Sequence, residues 1–376
     1  MVRIIRWKCS KCGRKWIHPV EKCIYDGEKI AKVVTNKVKV VGFTKIFIPN
    51  PLHPIVPYNV IMLEDELGNR MPKKTMKDYN IGDVYQDIPD SSDSAVAIVK
   101  LKYDFYEAVS EAIELTGGLK LGKSILIKPN MSIPGHSYLG MCTNPKVIDA
   151  LLQYLIKDKG AKPESITIAE QNFFMPFEES ISKSGLVEVA KKHKVKILDL
   201  SKTEFIKKKE RDFEFEISKA VFDAGLVINV PVIKTDMVLG IDGAFENMIR
   251  FLSKKTFEKY SSDPQKAALA LAVFPKVFPP FFTLGDASIG LQGNGPANYG
   301  EPGFFNLILA ARNPVVHDTA VKEIFCLRKV PYVELAAQLG YGQSDASRIK
   351  FIGNELEALR RDIKQPIGSK LIGKAA

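Results

Sequence analysis

From residue 95 onward, short apolar runs alternate with stretches of helical periodicity, and this alternation limits the fold more than any other feature of the chain. The runs are AVAIVKL from Ala95, SILIKPN ending at Asn130, Ile166–Glu170, residues 194–199, Leu226–Val230 and residues 282–286. The run at residues 225–230 is short, apolar and rich in Val and Ile, the pattern of a strand buried on both faces of a parallel sheet. Helices are read over Phe105–Leu115, stopped by Thr116-Gly117-Gly118, and over residues 145–157. Strands alternating with ten-to-fifteen-residue helices predict an α/β domain over residues 95–330, with a mostly parallel sheet and helices on both faces. Residues 331–376 are read as a helical extension and tail, and the run Lys207 to Arg211 as a solvated stretch.

The first 94 residues follow different rules. WKCSKCGRKW holds the knuckle Cys9-x-x-Cys12-Gly13, and KCIYDGEK repeats its shape as Cys23-x-x-Asp26-Gly27, with an aspartate in place of a fourth thiolate. Two such turns aim their ligands at one ion, so residues 1–30 are read as zinc-ribbon-like, with Asp26 or His18 completing a tetrahedron around zinc. Residues 31–88 alternate with a period of two, carry turns at Gly68-Asn69 and Gly82, and include a proline-rich arm over residues 49–57. That predicts a small antiparallel OB-like barrel. The linker is placed at residues 89–94, where Pro, Asp and Ser break both periodicities.

Composition excludes several classes. Charged residues are 26% and hydrophobic ones 45%, and the five cysteines are an odd count with three in the first 23 residues, which argues for metal binding in a reducing cytoplasm rather than a secreted disulfide scaffold. No signal peptide is read before Cys9, and the most apolar stretch, residues 267–284, is broken by Lys276, Pro275, Pro279 and Pro280, so no membrane span is expected. The formal charge of +11 suits an acidic or phosphorylated partner, and equally a Lys-rich thermophile surface.

Residues 224–247, AGLVINVPVIKTDMVLGIDGAFEN, gather the polar chemistry. Pro231 is read as ending a strand, with Lys234, Thr235 and Asp236 in the loop beyond it and Gly240 and Gly243 before a helix carrying Glu246 and Asn247. Lys128-Pro129-Asn130 closes another strand, and Asp286 a third, ahead of GLQGNGP, whose Gly293, Gly295 and Pro296 can form an anion-binding nest. Ligands of open α/β sheets sit outside the carboxyl ends of the strands, so these loops are expected to meet in one positively charged cup. The plain alternative is a surface loop with solvated charges. Neither a Rossmann fingerprint nor a P-loop occurs. His136, and His317 beside Asp318, are general-base candidates, although a single His is more often structural. Cys142 and Cys326 lack ligand spacing and are read as buried hydrophobes.

On Cys9, Cys12, Cys23 and the strand and turn over residues 58–70, the N-terminal part resembles the zinc-ribbon and OB-fold module found beside thiolases and hydroxymethylglutaryl-CoA synthases in archaea and bacteria. The resemblance implies acyl-CoA binding and a thiolase-type partner; the fourth cysteine is absent here. An OB barrel can hold single-stranded nucleic acid, but Phe43, Phe47 and Tyr58 form no stacking ladder with basic residues. On IKPN, TNP at residues 143–145, NVPVIKTD, GAFEN, GDASIGLQGNGP and NPVVHDTA, the second part resembles an uncharacterised α/β family often described as iron–sulfur or oxidoreductase-like. The matching residues are Lys128, Asn130, Thr143, Lys234, Thr235, Asn247, Asp286, Gly295, Pro296 and Asp318. Asp236 stands where that family usually shows His, and Glu246 where it shows Lys. Ferredoxin cysteines are missing, which argues against an intrinsic iron–sulfur cluster.

These readings together predict an enzyme acting on an anionic small molecule, such as a CoA thioester or a phosphorylated or carboxylated compound. Lys128 and Lys234 would neutralise it, Asn130, Thr143, Thr235, Asn247, Gly293 and Gly295 would bind and orient it, and Asp236 or Asp286 would act as base or metal ligand, with enolate-type chemistry. The competing classes are a non-catalytic scaffold for a thiolase or synthase complex, an oxidoreductase with an external redox partner, and a single-stranded nucleic-acid binder.

Overall fold

The computed structural model describes residues 4–35, 38–48, 58–75, 79–85, 94–131, 137–297 and 299–367. The chain divides into two compact units, Met1–Ile88 and Pro89–Ala376. The proline-rich arm, residues 89–93 of the linker, His136 and residues 368–376 of the tail lie outside the described residues.

In the first unit, β1 (Ile4–Cys9), β2 (Lys15–Trp16) and β3 (Ile30–Thr35) form an antiparallel sheet of order β2-β1-β3. A second antiparallel sheet comprises β4 (Val38–Ile46), β5 (Tyr58–Asp65) and β6 (Arg70–Thr75). Asp65 shapes the β5–β6 turn by accepting the N–H groups of Leu67 and Asn69, at 2.9 and 2.7 Å, while Gly68 takes the left-handed φ of +69°. Ile4, Val38, Val40, Ile61, Leu63 and Tyr85 form a small core. The barrel expected over residues 31–88 is not shown: the described residues form two small antiparallel sheets, and no strand pairing among them joins the two.

The second unit continues with β7 (Ala95–Lys100), β8 (Ile125–Pro129), β9 (Ile166–Glu170), β10 (Lys196–Asp199), β11 (Phe205–Glu210), β12 (Phe213–Ser218) and β13 (Leu226–Val230). Then come β14 (Val232–Asp236), β15 (Gly240–Asp242), β16 (Phe282–Gly293), β17 (Gly300–Gly303), β18 (Leu307–Ala311) and β19 (Lys350–Gly353). The main sheet runs β10-β9-β8-β13-β16-β18-β7-β19, and β18 alone is antiparallel to its neighbours along that path.

Two apolar clusters cover its two faces. Ile127, Ile168, Ile228 and Ile308 join Val109, Ile113 and Leu151 from the helices Phe105–Leu115 and Pro145–Gln153. Leu126, Val227 and Leu309 join Phe245, Leu271, Val316 and Tyr332 on the other side. Both faces of the central strands are therefore dry, which is why runs such as Ile125–Pro129 and Leu226–Val230 show no polar alternation, whereas the edge strands β10 and β19 are partly exposed.

The structure corrects several local expectations. Pro231 does not open a loop: its carbonyl accepts the N–H of Asp286 at 2.8 Å, and the chain continues as β14. Proline lacks only the donor, so the Val-Ile-Lys-Thr-Asp run beyond it still pairs in parallel with the long β16, after a register shift between Val232 and Lys234. Lys234, Thr235 and Asp236 are thus strand residues, and β15 folds back to set Asp242 opposite Lys234. The helix at 145 ends at Gln153 and continues as a π turn, Tyr154–Asp158. The solvated lysine run is β11 of a hairpin with β12. The C-terminal segment contributes the helix Pro331–Gln338 and also β19, which pairs in parallel with β7. No helix among the described residues is long and apolar enough to cross a membrane.

Candidate functional site

A hydrogen-bonded network fills the carboxyl ends of β8, β13 and β14. The Lys128 ammonium donates to Glu170 Oε2 at 2.7 Å, to the Pro129 carbonyl at 2.6 Å and to Asn247 Oδ1 at 3.4 Å. Asn247 Nδ2 donates to the Lys128 carbonyl at 3.1 Å and to Asn229 Oδ1 at 2.7 Å. The Lys234 ammonium donates to Asp242 Oδ2 at 2.9 Å, and to Asn130 Oδ1 and the Met141 carbonyl at 3.3 Å each. Thr143 ties two strand ends together, accepting the Asn130 N–H at 2.8 Å and donating to the Val230 carbonyl at 2.7 Å.

Lys128, Asn130, Thr143, Lys234 and Asn247 therefore meet, as their spacing suggests, but not as a positive cup. Each ammonium is buried against a carboxylate, Glu170 or Asp242. Burial pushes the Lys128 pKa down and that of Glu170 up, against the attraction between them. A buried cation without such a partner would be strongly destabilising, so the carboxylates are what allow the lysines to sit in the sheet.

Other expected residues have local duties. Thr235 donates to the Leu291 carbonyl at 3.4 Å. Asp286 accepts the N–H groups of Asn144 and Ser288, at 2.7 and 3.0 Å, and the Ser288 hydroxyl at 2.6 Å, and burial raises its pKa to about 6. The Gly293 N–H donates to the Lys364 carbonyl at 2.7 Å and so is not turned to an anion. Gly295 packs so closely on Thr235 that a Cβ would lie 2.1 Å from its carbonyl oxygen. The His317 ring is buried, with Nδ1 2.8 Å from Asp318 and Nε2 packed on Gly285. Cys142 is buried as expected, whereas Cys326 is exposed.

Beside the network lies a cavity of about 250 Å³. Its charged lining residues are Asp236, Asp242, Glu246 and Arg250, Tyr260 and Ser261 also line it, and Phe215, Leu239, Leu271 and Phe274 are among its apolar walls. Glu246 is held well above the usual carboxylate range, first by burial and then by the charge of Asp242 and a hydrogen bond to it. Asp236 is pushed up to about 6 by burial, although its Oδ1 accepts the N–H groups of Leu239 and Val238 at 2.6 and 2.7 Å.

Arg250 is only 4% exposed, and its Nε and Nη1 have no hydrogen-bond partner among the described residues. Its guanidinium lies over the rings of Phe173, Phe174 and Phe257, at 4.4, 5.2 and 5.6 Å. Sequence reasoning passed over Glu170, Asp242 and Arg250. Glu246 and Arg250, four residues apart on continuous helical turns, lie on one side of the segment, and that spacing was the available signal. Asp318 anchors this segment by accepting the Ala244 N–H at 2.8 Å and the Tyr332 hydroxyl at 3.0 Å. A Cβ at Gly243 would come within 2.4 Å of that carboxylate.

In the first unit, the candidate ligand atoms of Cys9, Cys12, Cys23 and Asp26 all lie within 4.8 Å of one another. Cys9 Sγ is 3.4 Å from both Asp26 oxygens, and Cys12 Sγ is 3.6 Å from Cys23 Sγ. The two knuckles match: Gly13 and Gly27 adopt φ of +69° and +72° and donate to the carbonyls of Cys9 and Cys23. The edge of a tetrahedron with Zn–S arms of about 2.3 Å is roughly 3.8 Å, close to these spacings. Asp26, and not the exposed His18, joins the three thiols, so this cluster could bind a metal ion and its donors are compatible with zinc.

Three solved structures share weak similarity with the chain. They are an Ltp2-ChsH2(DUF35) aldolase (20% identity, 21% of this chain and 68% of that one, TM-score 0.18) and a DUF35-family protein of unknown function from Sulfolobus solfataricus (23%, 21% and 63%, 0.17). The third is the lactate racemase apoprotein from Thermoanaerobacterium thermosaccharolyticum (14%, 60% and 57%, 0.36). The chain thus spans less than two thirds of the second and third of these. No curated protein matches it. The family model described as "Domain of unknown function (DUF362)" matches residues 125–323, more than half of the sequence, a range that holds the lysine network and the cavity lining, and the chain belongs to that family.

Proposed function

We propose that the second unit is an enzyme that moves a proton on a small anionic metabolite bound in the cavity. The observation that carries this reading is the pairing of Asp236 with Glu246 at one apolar cavity, two carboxyls whose surroundings set them apart. Asp236, poised near 6, is the base, and Glu246, kept protonated, is the hydrogen-bond donor. Asp236 takes the proton from the carbon beside a substrate carbonyl. The C–H electron pair moves to the carbonyl oxygen, and Glu246 donates its hydrogen bond to the enolate so formed. Burial and the neighbouring Asp242, whose other neighbour is the Lys234 ammonium at 2.9 Å, favour the protonated form of Glu246. Asp286, outside the cavity lining, is a structural residue on this reading.

The first unit serves as a zinc-bound module that recruits an acyl-CoA or a thiolase-type partner in a reducing cytoplasm. Its Cys9, Cys12, Cys23 and Asp26 would hold the ion, which would tie the two knuckles together. Ile17, Ile24, Tyr25 and Phe47 are exposed and suit such a partner. Elemental analysis should find one zinc per chain, lost in Cys9→Ser. The enzymatic reading is tested by incubating the protein in D2O with a panel of carboxylates and short acyl-CoA thioesters and following the α-hydrogens by NMR. Exchange that falls at least about 100-fold in Asp236→Asn supports it; no exchange on any member with the wild-type protein rejects it.

A further inference from the structure

Arg250 differs from the other buried cations beside the cavity. Lys128 and Lys234 each have a carboxylate within 3 Å, whereas the Arg250 Nε and Nη1 have no partner among the described residues. The acids around it do not supply one. Glu170 is matched to Lys128 and Asp242 to Lys234, Glu246 is hydrogen-bonded to Asp242, and Asp236 turns one oxygen to two backbone N–H groups. The guanidinium is fixed by aromatic rings, and its residue lines the cavity, so an anion entering there finds a preorganised donor.

We infer that the cavity takes a monocarboxylate with an apolar body of about ten heavy atoms, anchored on Arg250. This rests on the reading of the cavity as the ligand site of the second unit and names its substrate class. The size follows from volume. An apolar cavity of roughly 150 Å³ holds benzene, so one of about 250 Å³ takes about ten heavy atoms, and Leu239, Leu271 and Phe274 offer the body an apolar wall. The charge follows from the single cation. A phosphate dianion would call for a second free positive group, and a thioester carbonyl, being neutral, would leave the guanidinium uncompensated.

Titration calorimetry of the full-length protein at pH 7.5 with octanoate, octanol, octylamine and inorganic phosphate tests this. Octanoate is expected to bind at least about 10-fold more tightly than the other three, and Arg250→Met to weaken it by about 10- to 100-fold. Leu271→Trp, which fills the cavity from its apolar wall, should abolish octanoate binding. Octanol or octylamine binding as tightly as octanoate, unchanged octanoate affinity in Arg250→Met, or no octanoate binding by the wild-type protein at millimolar concentration would each overturn the inference. Should Arg250→Met fail to fold, the wild-type ligand series decides alone. Octanoate binding without hydrogen exchange on any substrate leaves the carboxylate site standing and removes the proton-transfer reading; exchange without a preference for octanoate does the reverse.

Discussion

Lys128 and Arg250 are both buried cations in the second unit, and they solve the same electrostatic problem in opposite ways. Lys128 is at the end of β8 with a carboxylate, a carbonyl and an amide oxygen around its ammonium. Arg250 rests on three phenylalanine rings beside a cavity, with Nε and Nη1 unmatched among the described residues. A buried charge whose partners are all protein groups belongs to the scaffold. One that faces a cavity without partners is held ready for something brought from outside.

The largest effect is expected where the scaffold cation is removed. Lys128→Met leaves Glu170 buried without its counter-charge and should cost about 3–5 kcal/mol in urea unfolding at neutral pH. A loss below about 1 kcal/mol would mean that the pair does not hold the strand ends together. Asp236 comes next, with the opposite sign. Its folded pKa is raised from the ordinary carboxylate value to about 6. The folded state therefore binds more protons than the unfolded one between roughly pH 4 and 6. The stability this confers is present below about pH 4 and is lost as pH rises through 6. Asp236→Asn keeps the oxygen that accepts the Val238 and Leu239 N–H groups and should be about 3 kcal/mol more stable than wild type at pH 7.5, with the gain gone at pH 4. A pH-independent difference would contradict this. The smallest effect belongs to Arg250→Met without ligand, which should change stability by no more than about 1 kcal/mol, since relief of the uncompensated buried charge offsets the lost contact with the phenylalanine rings.

The two units also differ in how openly the sequence displays them. The Cys–Asp cluster is local: two knuckles of the same shape, separated by ten residues, place three thiols and Asp26 together, and Cys-x-x-Cys is readable without any long-range contact. Most strands of the main sheet were legible for the related reason that a run such as Leu226–Val230 carries its own burial signal. β14 was hidden because Pro231 resembles a terminator until β16 is known to extend past it. The cavity was hidden for a stronger reason. Lys128 and Glu170 are 42 positions apart, and nothing near Lys128 announces that its charge is already matched. Arg250 lies within the apolar run NMIRF, where a lone arginine has the look of a solvated side chain.

The account stands on the claim that the unmatched guanidinium of Arg250 awaits a carboxylate, and ligand-linked stability measures that most directly. With octanoate at about 100 times its dissociation constant, the wild-type protein should gain about 2.7 kcal/mol in urea unfolding, and Arg250→Met at the same octanoate concentration only about 0.4 to 1.4 kcal/mol. Equal gains in the two proteins would place the carboxylate elsewhere and contradict the claim.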